Sequence, residues 1–144
     1  MKYRLDYVTF NILPNNIIET IIDEGVTLTL EMSEEIRKTL APVKTKDFAC
    51  LFNNINDYKL SFETQFNMIS EDNLIALAFV YYTEESRLQA EKLVKLRAVD
   101  NWNVKMFSGL EMGWQEAHDW LTSEVNRSQT IAPAPRQPQT ITEQ

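Results

Sequence analysis

Two stretches of this chain are apolar at nearly every position: Phe48-Ala49-Cys50-Leu51-Phe52 and Ile75-Ala76-Leu77-Ala78-Phe79-Val80-Tyr81-Tyr82. A strand with one wet face alternates polar and apolar residues. A run apolar at consecutive positions therefore suits a central strand of a sheet covered on at least one side. Between the two runs, Ser61-Phe62-Glu63-Thr64 opens a short helix with Phe62, Phe66 and Ile69 roughly on one face. Parallel strands need a crossover, usually helical, so the pattern strand, helix, strand predicts an α/β domain.

The flanking sequence extends that pattern in both directions. Tyr3, Leu5 and Tyr7, then Val8, Phe10 and Ile12, alternate with polar residues and predict a strand over 3–12. After the turn Pro14-Asn15-Asn16, Ile17–Ile22 reads as its hairpin partner, closed by Asp23-Glu24-Gly25. Thr27 and Thr29 are candidate N-caps of a first helix, whose Met32, Ile36 and Leu40 form one stripe and which stops before Pro42. Thr83-Glu84-Glu85 starts a third helix through about Ala98, and Trp102–Phe107 alternates as a fifth strand. Ser108-Gly109-Leu110-Glu111 fits a capping box at the start of a helix over 109–125, with Leu110, Trp114, Ala117 and Leu121 as its stripe. The expected order is thus β-β-α-β-α-β-α-β-α: a mixed five-stranded sheet, its last three strands mutually parallel, with four helices chiefly on one face. Residues 1–125 form that domain. Residues 126–144, with three of the five prolines and no apolar period, read as a flexible tail.

Composition narrows the function classes. A net charge of −7 argues against nucleic acid, whose phosphates recruit clustered Lys and Arg. No apolar run approaches the roughly 20 residues of a membrane-spanning helix, and no signal-peptide pattern opens the chain, so a cytoplasmic protein is expected. With one Cys and one His, neither an internal disulfide nor a multi-Cys or His-rich metal site can be built. Cys50, inside a strand, reads as a small core residue. His118, off the stripe of the last helix, reads as a surface residue, while Trp114 and Trp120 read as core-facing or half-buried. None of the acids sits in an apolar setting that would tune it for catalysis, and Gly25, Gly109 and Gly113 make no phosphate loop. The expectation is a protein that is not an enzyme and calls for no cofactor or metal.

The element order is similar to that of the STAS fold, and four stretches resemble its SpoIIAA-like branch of small bacterial proteins. They are Ile21–Val26, Phe48–Asn54, Ile75–Tyr81, and Val104–Ser108 followed by Glu116-Ala117-His118-Asp119-Trp120-Leu121. The last looks like the strand-turn-helix ending in Ala-x-x-Trp-Leu of many SpoIIAA-like sequences. This resemblance implies a regulatory or protein-binding module in signalling. In anti-sigma-factor antagonists of this fold, a Ser or Thr at the start of the second helix is phosphorylated by a partner kinase. Ser61 is the nearest hydroxyl here, without the adjacent Asp or following Gly of that motif. A comparison of the wider group with lipid carriers adds an alternative: a carrier or sensor of a small apolar, lipid-like ligand, in a cleft lined by residues such as Phe62, Phe66, Tyr81 and Leu93.

Open α/β sheets bind ligands at the carboxyl ends of their strands. Those ends are expected to gather Asn53, Asn54, Asn56, Asp57, Tyr58, Tyr81, Tyr82, Thr83 and Ser108 as a ligand or partner edge. Helix N-termini at Ser61, Thr83 and Ser108 would hold a small anion there, or those hydroxyls simply cap their own helices. A protein partner is expected, with pairing of two copies through an open strand edge as a further candidate.

Overall fold

The computed structural model describes residues 1–67 and 71–131. Among the described residues, eight strands and four α-helices follow in the order β1 (Lys2–Leu5), β2 (Val8–Leu13), β3 (Ile17–Ile22), β4 (Thr27–Leu28), α1 (Leu30–Leu40), β5 (Phe48–Asn54), β6 (Lys59–Leu60), α2 (Phe62–Asn67), β7 (Leu74–Tyr81), α3 (Glu84–Leu96), β8 (Val104–Ser108) and α4 (Gly113–Ile131). The main sheet runs β1-β2-β3-β5-β7-β8. Its first three strands are antiparallel, and β3, β5, β7 and β8 are parallel to one another. The short strands β4 and β6 form a separate parallel pair.

The α/β class and the parallel β5, β7 and β8 match the expectation, but the sheet has six strands rather than five. The expected strand over 3–12 is a hairpin in which Leu5 pairs with Val8 across the turn Asp6-Tyr7. The apolar phase moves from odd to even positions at this point, because a tight turn resets which residues face the core. Tyr7 closes the turn from inside, its hydroxyl donating to Glu35 Oε1 at 2.7 Å and lying 3.0 Å from Met32 O.

The helices lie chiefly on one face, as expected, with α4 apart from the rest. Strands β3, β5, β7 and β8 advance in one direction across the sheet. Right-handed connections therefore put the crossover helices α1, α2 and α3 on the same face. The last helix is not a crossover and is free to return over the other face. Two cores result. Phe10, Ile18, Phe48, Phe52, Leu77 and Phe79 face Leu40 of α1 and Ala90 and Leu93 of α3. Ile17, Ala49, Leu51, Ala78, Val80 and Phe107 face Ala117, Leu121 and Val125 of α4. The consecutive apolar positions of β5 and β7 are thus accounted for by cover on both faces.

Three helix details depart from the sequence reading. The Ser108 capping box does not form: Gly109–Glu111 makes a 3-10 turn, Met112 takes a left-handed φ of 65°, and α4 starts at Gly113, leaving Leu110 75% exposed. Helix α4 continues to Ile131, so residues 126–131 of the expected tail are helical; residues 132–144 lie outside the described residues. In α2 the inward residue is Thr64, fully buried, with its hydroxyl donating to Leu28 O at 3.0 Å. That anchor turns Phe62 and Phe66 outward, to 72% and 44% exposure; Ile69 lies outside the described residues. Helix α1 is capped as expected by Thr29, whose Oγ1 accepts Met32 N at 3.2 Å.

Candidate functional site

The parallel strands end together at Ile22, Asn54, Tyr81 and Ser108, and the loops that follow build the carboxyl edge. Around it the structure separates the expected edge residues into two groups, because neighbouring residues of a strand point to opposite faces. Asn54 is 6% exposed on the α1–α3 side and accepts Tyr58 Oη at 2.9 Å. Burial raises the Tyr58 phenol above its ordinary range, so it donates to Asn54 and stays neutral. Asn56 donates to Ile22 O at 2.9 Å, and Asp57 N donates to Glu24 Oε1 at 3.0 Å. These contacts hold the β3–β4 and β5–β6 loops together beside α3. The loops line an open groove of about 420 Å³ that includes Asn56, Asp57, Tyr58, Lys59 and Glu85.

Asn53, one residue earlier, faces α4 and joins a second group. Its Nδ2 donates to Glu19 Oε2 at 3.1 Å, the Trp114 indole donates to the same oxygen at 2.8 Å, and Asn11 donates to Glu19 Oε1 at 2.8 Å. Glu19 is only 6% exposed, with these three neutral groups as its donors. The sequence reading, which found no acid in an apolar setting, missed it. Its signal was a single charge within Ile17-Ile18-Glu19-Thr20-Ile21-Ile22. The Trp114 ring stacks on His118 at 5.3 Å and 8°, so His118 is a half-buried partner of the indole rather than a free surface group. Tyr82 belongs here too: burial and then the Glu19 charge raise its phenol. Its ring fills the space where a Cβ of Gly109 would stand.

The hydroxyls at the helix starts are engaged in different ways. Thr83 Oγ1 accepts Ser86 N at 3.0 Å and caps α3. Ser61 Oγ accepts Thr64 N at 3.2 Å and lies 2.6 Å from Thr64 Oγ1, so it caps α2. Ser108 makes no side-chain cap bond, and its carbonyl fills the space where a Cβ at residue 113 would stand. Tyr81 stands in register between Asn54 and Ser108 at the end of β7.

For nucleophilic chemistry, Cys50 is 7% exposed and burial pushes its thiol up to about 11, so little thiolate forms at neutral pH. Among the described residues no group of three or more His, Cys, Asp or Glu side chains is placed to hold a metal ion. No described helix is long and apolar enough to cross a membrane. The cleft expected between Phe62, Phe66, Tyr81 and Leu93 is not built, since Phe62 and Phe66 face outward and pack on each other at 4.9 Å. Comparison of the chain with protein-family models, with curated proteins and with solved structures finds no match in any of the three.

Proposed function

We propose that this protein is a STAS-like, non-enzymatic regulatory module that acts by binding another protein through the outer face of α2. The observation that carries the reading is the aromatic pair Phe62 and Phe66, 72% and 44% exposed on one short helix and stacked edge to face on each other. Aromatic side chains are enriched in protein interfaces, and burying one apolar side chain of this size is worth roughly 1.5–3 kcal/mol. Phe62 directly follows Ser61, the hydroxyl nearest the phosphoacceptor position that the SpoIIAA-like resemblance implies. The reading needs no phosphorylation: the Ser61 hydroxyl already serves as the α2 cap, and the adjoining aromatic pair provides the contact.

The module is expected to work without a cofactor, and the high pKa of the buried Cys50 thiol supports a role outside thiol catalysis. The test is quantitative affinity capture with the full chain. Replacing both aromatics (Phe62→Ala with Phe66→Ala) should lower recovery of the bound partner at least about tenfold, as expected for interface anchors. Val99→Ala, at a residue 94% exposed beyond α3, should leave recovery unchanged. Equal recovery with both variants would refute an α2-centred interface.

A further inference from the structure

Helix α1 buries its stripe on the sheet only in part. Of its stripe only Leu40 is fully buried, while Met32 and Ile36 are half-buried. Beneath it a partly open cavity of about 60 Å³ lies between α1 and the sheet, with Phe10, Phe48 and Phe52 below, Ile36 and Leu40 above, and the polar Arg37 and Asn67 also on its lining. Lys44 and Glu71 also line it, joined by an ion pair of 3.2 Å. The two partners are unequal. The Lys44 side chain is 14% exposed and its ammonium lies 5.2 Å from the centre of the Phe48 ring, while Glu71 is 25% exposed. When the pair opens, Glu71 has the readier access to solvent, and the ammonium needs a new anion, because an unpaired buried charge is costly.

We propose that this cavity is a binding site for a small aliphatic monocarboxylate, its chain under α1 and its carboxylate on Lys44 in place of Glu71. Such a ligand supplies the anion that Lys44 requires and the apolar atoms that the aromatic floor lacks. The first carbons of the chain occupy the existing space, and longer chains extend through its open side. This site is separate from the outer face of α2, so either proposal can fail without the other.

The test is an NMR titration of the full chain with acetate, butanoate, hexanoate and 1-hexanol. Saturable shifts are expected at Phe10, Phe48, Phe52 and Ile36. Affinity should rise about fourfold per methylene from acetate to hexanoate, the factor expected for burying each CH₂. Lys44→Met should weaken hexanoate at least tenfold and leave 1-hexanol within twofold, whereas Lys44→Arg, which keeps a cation and controls for folding, should retain hexanoate. The absence of saturable shifts with every carboxylate, equal affinity for acetate and hexanoate, or unchanged hexanoate binding in Lys44→Met would each overturn the proposal.

Discussion

Glu19 is the residue whose environment is least ordinary. A carboxylate 6% exposed, held by Asn11, Asn53 and Trp114, depends on neutral donors for the solvation that burial removed. Hydrogen bonds to charged groups are worth about 1.5–3 kcal/mol, so Trp114→Phe should destabilise the protein by about 2 kcal/mol in urea unfolding. Trp120→Phe should cost less, because Trp120 contributes its ring to the packing against Phe107. Equal costs would mean that the indole N–H bond to Glu19 carries no weight. At this scale the sequence was half legible. A lone charge in a β-branched run marks Glu19 as unusual, but its indole donor lies 95 residues away and no local pattern joins the two. Asn53 and Asn54 were legible as residues of the edge, and only the strand's alternation assigns one to each face.

Among elements, α4 shows most clearly how local backbone fixes placement. Its first residue, Gly113, sits where a Cβ would lie 2.0 Å from the carbonyl oxygen of Ser108. Backbone cannot swing aside as a side chain can, so Gly113→Ala should cost about 2–3 kcal/mol, within the range of overpacking, read as a lowered urea midpoint. At Gly109 the obstruction is the Tyr82 ring, a side chain able to rotate, and Gly109→Ala should cost less. Farther along, α4 is tied to the residue before β8 through Glu124, which accepts Asn103 Nδ2 at 2.8 Å and pairs with Arg127. Arg127, then Asn103, hold the Glu124 carboxyl below its ordinary value. A carboxylate with a lowered folded pKa adds stability above the unfolded value, and that contribution disappears as pH falls through the folded value. The protein should therefore lose stability below about pH 4.5, and Arg127→Ala should reduce the part of that loss due to Glu124, measured as urea midpoints from pH 6 to 3. An unchanged profile in Arg127→Ala would contradict the assignment. The parallel core strands were legible because residues apolar on both faces leave few alternatives. The side taken by α4 was not, since handedness governs crossovers and α4 follows the last strand.

For the whole molecule, the fold places three features apart from one another. The α4 face holds a neutral-donor network around Glu19, the opposite face holds the cavity beneath α1, and α2 presents Phe62 and Phe66 outward. The exposed pair could not be read from sequence, because positions 62 and 66 have the spacing of a buried stripe. Only the Thr64 anchor to Leu28 decides which side of α2 turns in. On the proposed reading, a net charge of −7 favours a partner with complementary basic groups around the apolar contact. The most direct measurement is photo-crosslinking, in the cells that natively make the protein, from a photoreactive amino acid placed at Phe62 or, as a control, at Val99. The account predicts one adduct of defined mass with another protein from position 62 and none from position 99. No adduct from position 62, or the same adducts from both positions, would contradict it.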